Sequence, residues 1–234
     1  PGTVLWADDR PVVEVGARIA DGCRLVRLMA DPGGVGDLLD RFGAIPLPPY
    51  IRRPLHDPAR YQTVYADQPE SVAAPTAGLH LTRAVLDGCL ARGAQMATVE
   101  LAVGLGTFRP VTASRAEDHH MHREHYRVPP ATMAACGQAR RVVAVGTTTL
   151  RALETAATGR LEGDTDLYIH GRFPFQVVDV LLTNFHQPRS SLLLLLDAFC
   201  GTRWQQLYRV ALDEGYRFLS FGDAMLVARM DRAA

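Results

Sequence analysis

Val142-Val-Ala-Val-Gly-Thr-Thr-Thr-Leu-Arg151 is the stretch that decides the architecture. Its apolar start reads as a short buried strand over 141–145, Gly146 ends it, and the hydroxyls of Thr147 to Thr149 open a helix over 148–158. A strand running through glycine into a helix is the building unit of an α/β domain. Working outward, the periodicity predicts helices at 57–65, 82–92, 130–139, 191–199 and 205–215. It predicts strands at 94–103, 165–170 and 177–182, with 224–229 a closing strand or short helix. Strands alternating with helices imply an α/β fold (α+β mixed) on a mixed, substantially parallel sheet.

The first 45 residues read differently. Short strands at 3–6, 12–15 and 23–29 are separated by polar turns, and a short helix follows at 36–42. Three strands are too few to close a sheet alone. Ile45-Pro-Leu-Pro-Pro-Tyr-Ile51 carries three prolines, which impose a stiff extended segment and mark a junction. Two domains are therefore expected, 1–45 and 46–234.

Composition narrows the chemistry. Of 234 residues, 25 are basic and 25 acidic, and 47% are hydrophobic, which excludes a disordered or collagen-like chain. The longest purely leucine run, 192–196, is far short of a membrane span. The four cysteines, Cys23, Cys89, Cys136 and Cys200, are scattered without ligand or disulfide spacing and read as reduced thiols in a cytosolic protein. All 25 basic residues are arginine, so Schiff-base, P-loop-lysine and Ser-Lys chemistry have no residue to use. The start, Pro-Gly-Thr-Val-Leu-Trp, has no signal-peptide core and no Met, and reads as an internal point of a longer natural chain.

Several polar or glycine-rich segments lie where apolar strands end, the place at which open α/β sheets bind ligands. After Gly146, Thr147 or Thr148 caps the helix and leaves amides for an anionic or polar ligand; a capped helix without ligand explains the pattern equally well. In Leu101-Ala-Val-Gly-Leu-Gly-Thr-Phe108, Gly104 and Gly106 permit close backbone approach to a flat ligand and Phe108 can stack on a base, against a simple bulge with a core phenylalanine. Glu117-Asp-His-His-Met-His-Arg-Glu-His125 holds four of the eight histidines. On a helix, His119 and His122 would share one face with Glu124 nearby, suited to acid–base work, against a solvated polar loop. No third ligand makes a zinc site of it. Leu181-Leu-Thr-Asn-Phe-His-Gln-Pro188 delivers Asn184 and His186 at a strand end, and Pro75-Thr-Ala-Gly-Leu-His80 is a turn into a helix with His80 at its start. Taken alone these residues describe a cytosolic α/β enzyme with a multi-segment polar site.

Together and in order, the segments resemble one family. Ile45–Ile51, Arg60-Tyr-Gln-Thr-Val-Tyr-Ala66, Ser71-Val-Ala-Ala-Pro-Thr-Ala-Gly-Leu-His80, Gly104-Leu-Gly-Thr-Phe108, His119-His-Met-His-Arg-Glu124, Val145-Gly-Thr-Thr148, Leu181-Leu-Thr-Asn-Phe-His186 and Ser220-Phe-Gly-Asp-Ala-Met225 are similar to the S-adenosylmethionine:tRNA ribosyltransferase-isomerases of queuosine synthesis. The resemblance implies transfer and isomerisation of the ribosyl part of S-adenosylmethionine onto 7-aminomethyl-7-deazaguanine at the tRNA wobble position. Epoxyqueuosine-tRNA, adenine and methionine would be the products. It implies a large α/β catalytic domain, here 46–234, and a smaller β-barrel domain of which 1–45 is the remainder. Carried onto matching positions, His119, His122, Glu124, His186 and His80 are the acid–base candidates. Gly104, Gly106, Thr107, Phe108, Gly146, Thr147, Thr148 and Asn184 are those for holding the donor or a base. S-adenosylmethionine is implied as co-substrate with no metal, a tRNA anticodon loop as partner, and a cytoplasmic monomer as the working form.

Departures from the family pattern leave other readings open. Ala102 stands where a histidine is usual, Leu81 where Phe is usual, Gln187 where Leu is usual, and Gly171-Arg172 where Pro-Gly is expected. A paralogue with a non-tRNA acceptor, a donor-cleaving enzyme, or an inactive S-adenosylmethionine-binding relative would also fit them. The net charge of zero lacks the basic signature of nucleic-acid binders, although Arg52, Arg53, Arg123, Arg127, Arg140 and Arg141 are available for a local phosphate-facing patch.

Overall fold

The computed structural model describes residues 1–19, 23–29, 34–67, 71, 73–103 and 123–232. They divide between two units, Pro1–Pro46 and Leu47–Ala234. The first is an antiparallel meander of β1 (Thr3–Ala7), β2 (Arg10–Arg18) and β3 (Arg24–Leu28), followed by helix α1 (Gly34–Phe42). Asp8 and Asp9 both have positive φ, 47° and 58°, so the β1–β2 connection is a two-residue turn whose twist matches its strands. Val12 and Leu38 are buried, and the Phe42 ring lies under the guanidinium groups of Arg41 and Arg10 at 4.8 and 5.9 Å. No closed barrel forms among the described residues of this unit.

The second unit is α/β with two three-stranded sheets among its described residues. After helix α2 (Arg83–Leu90), β4 (Glu100–Ala102) pairs antiparallel with β5 (Glu124–Arg127). Helix α3 (Pro130–Gln138) leads to β6 (Val143–Val145), and helix α4 (Thr147–Ala156) to β7 (Glu162–Thr165), which completes the first sheet beside β5. Strand β8 (Val180–Asn184) is the centre of the second sheet, parallel to β6 and, beyond helices α5 (Ser191–Cys200) and α6 (Arg203–Asp213), antiparallel to β9 (Ala224–Ala228). The sheet is mixed as expected, with its parallel part confined to the β6–β8 pair among the described residues.

Several sequence expectations change. The helix placed at 57–65 is only a 3-10 turn, Pro58–Tyr61, capped by the Asp57 side chain. The strand placed at 165–170 forms earlier, as β7, and stops at Thr165. The Leu167 amide donates to Thr165 Oγ1 at 3.2 Å and its carbonyl accepts from Arg151 Nε at 2.9 Å, so side chains take the backbone groups a neighbouring strand would need. Glu124 sits in a strand, not on a helix with His119 and His122. Its alternation buries Glu124 and Tyr126 and exposes His125 and Arg127, the period of two expected of a sheet with one covered face.

The core gathers Tyr126, Leu150, Leu153, Ile169, Leu181, Leu196, Phe199 and Val227 between the sheets and α4 and α5. Helix α4 carries two charged residues into it. The Glu154 carboxylate accepts the backbone amides of Gln176, Val177 and Val178 at 2.7–3.1 Å. Arg151, 4% exposed, pairs through Nη1 with Glu124. Removing one partner of a buried pair strands the other charge, whereas an exposed pair is solvated either way. Arg151→Met is therefore expected to cost about 3–5 kcal/mol in urea unfolding, while Arg127→Met, which breaks the exposed pair with Glu100 at 3.4 Å, shifts stability by less than about 1 kcal/mol. Equal effects for the two would contradict this assignment of the core.

Candidate active site at the strand ends

Because β6 and β8 run parallel, their carboxyl ends share one edge of the sheet. β6 ends at Val145, and Gly146 turns the chain into α4 with φ +93° and ψ 147°, a conformation that side chains other than hydrogen rarely adopt. Gly146 itself is the helix N-cap and supplies no side-chain hydrogen bond. Thr147 and Thr148 thus sit in the first turn of α4, not at the cap expected from the sequence. Thr147 is buried and Thr148 half-buried. The first amides of α4 and its positive dipole end face the same edge.

Asn184 closes β8 at that edge and is buried. Against it packs a 3-10 turn, Thr76–His80, whose two ends it grips. Thr76 Oγ1 donates to Asn184 Oδ1 at 3.0 Å, and Asn184 Nδ2 lies 3.0 Å from His80 Nε2. The middle of the turn approaches the other strand end: a Cβ at Gly146 would stand 3.9 Å from Ala77 Cβ. Gly78 has no room for a side chain, since a Cβ there would run into the Tyr65 hydroxyl and Thr63. His80 therefore ends a tight turn ahead of α2, whose own cap is Thr82, accepting from the Val85 amide at 3.3 Å.

Two further segments brace this edge. Tyr50, from the proline-rich stretch, shares a 2.6 Å hydrogen bond with Ser220, and Tyr61 meets the Phe221 ring edge-on at 5.9 Å. Burial pushes the Tyr61 phenol up to about 12. Its hydroxyl is buried without a hydrogen-bond partner among the described residues. His186 lies behind the edge: Nε2 is 3.0 Å from Thr183 Oγ1, and its backbone N–H donates to Tyr208 Oη at 2.7 Å. Burial lowers its imidazole from 6.5 to about 4, and raises the Tyr208 phenol to about 12. His186 is neutral near pH 7 and set in the packing.

The model of a family described as queuosine biosynthesis protein matches residues 1–227. The chain belongs to that family. It is 50% identical over 97% of its length to an S-adenosylmethionine:tRNA ribosyltransferase-isomerase from Rubrobacter xylanophilus, covering 67% of that protein. It is 49% identical over 88% of its length to one from Moorella thermoacetica, covering 63% of it. A crystal structure of an S-adenosylmethionine tRNA ribosyltransferase from Thermotoga maritima superposes with a TM-score of 0.52 at 42% identity, over 64% of this chain and 50% of that one. The chain thus spans about two thirds of the length of these relatives and half of the crystallised protein.

Of the family-matched candidates, the structure brings Gly146, Thr147, Thr148, Asn184 and His80 to one edge. Glu124 is elsewhere, held in the core by Arg151, and His186 is behind the edge. His119, His122, Gly104, Gly106, Thr107 and Phe108 lie outside the described residues. Ala102, the position at which the family resemblance leads to the expectation of a histidine, stands directly across from His125, which in turn contacts Asp164 at 3.1 Å; the exposed face of that sheet therefore still bears an imidazole. Arg123 and Arg127 are exposed and paired with Asp166 and Glu100. No three His, Cys, Asp or Glu side chains converge as metal ligands among the described residues.

Thr76 was missed from the sequence, as were Tyr50 and Ser220. All three lie inside family-like motifs, but nothing in their spacing says that 76 meets 184 or 50 meets 220. Two outcomes test the packing around the site. Tyr61→Phe is expected to leave stability unchanged or raise it by roughly 1 kcal/mol, because the lost hydroxyl has no hydrogen-bond partner among the described residues; a clear loss in thermal unfolding would mean that it has one. His186 keeps its proton off in the folded state while the unfolded imidazole takes one up below 6.5. Stability should therefore be full above that value and fall, by on the order of 3 kcal/mol, as the pH drops towards 4. His186→Gln should flatten this part of the pH–stability curve, and an unchanged slope would place its origin elsewhere.

Proposed function

We propose that this chain carries the activity its relatives are named for, transferring and isomerising the ribosyl group of S-adenosylmethionine onto 7-aminomethyl-7-deazaguanine at the wobble position of tRNA. The observation that carries this reading is the family match along residues 1–227, with relatives near 50% identity sharing one name. The shared name also favours tRNA over a non-tRNA acceptor or an inactive binding role. We place the reaction in the cytoplasm and read the chain as a monomer; no helix among the described residues is long and apolar enough to cross a membrane.

The donor supplies its own activation. Its sulfonium acidifies the adjacent 5′ hydrogens, so a base can begin by removing one. The carbanion expels the ring oxygen from C4′, adenine leaves C1′ as that oxygen becomes a carbonyl, and the acceptor amine adds to C4′. The renewed C5′ carbanion bonds to C1′ to close the carbocycle, and the alkoxide so formed closes the epoxide as the carbon–sulfur bond breaks and methionine leaves. A neutral amine acceptor releases one proton overall. The protein is left to position the donor, move protons and stabilise the leaving groups. At the described edge, the α4 amides and Thr148 are suited to the polar groups of the donor, and Asn184 with His80 to its base. His119 and His122 remain the proposed acid–base pair, and Gly104, Gly106, Thr107 and Phe108 the proposed donor cradle.

Incubation with S-adenosylmethionine and an anticodon stem-loop bearing 7-aminomethyl-7-deazaguanine tests the proposal. Adenine and methionine should appear in equal amounts only with the RNA present, with the mass of the RNA raised to match. Release without RNA would show another acceptor or hydrolysis, and no release under any condition would overturn the reading. Binding to the stem-loop should weaken steeply with salt, as phosphate contacts to arginine do.

A further inference from the structure

The geometry points to Asn184 as the positioning residue that fixes the proton of His80 on Nδ1, so that His80 presents a neutral, pre-aimed N–H to the departing adenine. This rests on the proposed ribosyl transfer for the identity of the leaving group, but not for the arrangement of the two side chains.

The arrangement follows from donor and acceptor bookkeeping. Thr76 Oγ1 donates to Asn184 Oδ1 at 3.0 Å, which turns the amide NH2 towards the imidazole. An amide nitrogen has no lone pair to offer, so Asn184 Nδ2, 3.0 Å from His80 Nε2, can only donate. Nε2 must then be bare, and a neutral imidazole with a bare Nε2 carries its proton on Nδ1. Nδ1 has no hydrogen-bond partner among the described residues. Asn184 is buried and His80 half-buried, so the amide is held in the protein while the ring keeps an accessible side. The Thr76–His80 turn, tied at both ends to a single amide, holds that ring at the carboxyl edge of β6 and β8.

As the glycosidic bond breaks, electron density moves into the purine and its ring nitrogens become better acceptors. A fixed N–H aimed there interacts more strongly with the transition state than with the bound donor, which lowers the barrier without tightening ground-state binding. No proton has to leave His80.

The direct test is the tautomer. In a long-range nitrogen–proton spectrum of the chain labelled with 15N-histidine, with His80 assigned by comparison with His80→Gln, the wild type should show a protonated Nδ1 and a bare Nε2. Asn184→Asp keeps the shape but can only accept, so it should move the proton to Nε2. In the adenine-release assay with S-adenosylmethionine and the modified stem-loop, the same variant should lower kcat on the order of a hundredfold, the scale of losing one pre-aimed donor, with little change in KM. Thr76→Ser keeps the hydroxyl and should restore both the wild-type spectrum and rate, whereas Thr76→Val releases the amide to rotate and should shift the tautomer as Asn184→Asp does. A wild-type His80 protonated on Nε2, or an Asn184→Asp enzyme with undiminished kcat, would overturn the inference. Wild-type chain that releases no adenine would refute the catalytic reading, while the spectrum still decides the Asn184–His80 arrangement.

Discussion

A helix that takes a carboxylate and a guanidinium into the core is the constraint on which the larger unit depends. Glu154 gathers three consecutive backbone amides, from Gln176 to Val178, just before β8 begins. One turn earlier on the same helix, Arg151 binds Glu124 of β5 and the carbonyl of Leu167. Both groups would be costly if left unpaired, so the segments that satisfy them have little freedom to move. Through α4, the approach to β8 and the start of β5 are held relative to one helix, whose N-terminus is at the candidate site. Asp179, just ahead of β8, adds a similar clamp by accepting the Val142 amide ahead of β6 at 2.9 Å.

Much of this was legible in the sequence. The α4 and β6 regions announce themselves through an apolar run, a glycine and a threonine cluster, and Gly146 is needed because the turn there requires positive φ. The meander of the first unit is equally readable from its alternation and its turns. Failures came where side chains replaced strand partners. Residues 165–170 have the composition of a strand, yet Arg151 and Thr165 consume the backbone groups of Leu167. Glu124 was drawn to the histidine cluster by proximity in sequence, and only the alternation Glu124-in, His125-out, Tyr126-in, seen against β4 and β7, shows that it serves the core.

The site was legible in part, and for a physical reason. Glycine and threonine at a strand end carry a local signal, because the turn and the helix start are local structures. The meeting of Thr76 with Asn184 spans 108 residues, and that of Tyr50 with Ser220 spans 170. No periodicity encodes such separations. Resemblance to a family could select those segments as belonging together, but it could not say which atoms touch.

His186 and Asn184 show why touching matters. They are two residues apart, in one motif, and both polar. Asn184 ends β8 with its amide shared between Thr76 and His80, at an edge that also receives the first turn of α4. His186 has left the strand, and desolvation keeps its imidazole neutral to about pH 4 while Thr183 and Tyr208 occupy its ring and its backbone. A general acid–base group must change protonation near the working pH and reach the substrate; burial denies His186 the first of these. A positioning group needs neither property, only a rigid setting and a donor pattern that cannot be reversed cheaply. An amide meets that need where a carboxylate would not, because one of its two heads can only donate. The chemistry available to this edge is therefore set less by the histidine it displays than by the neutral, buried amide behind it.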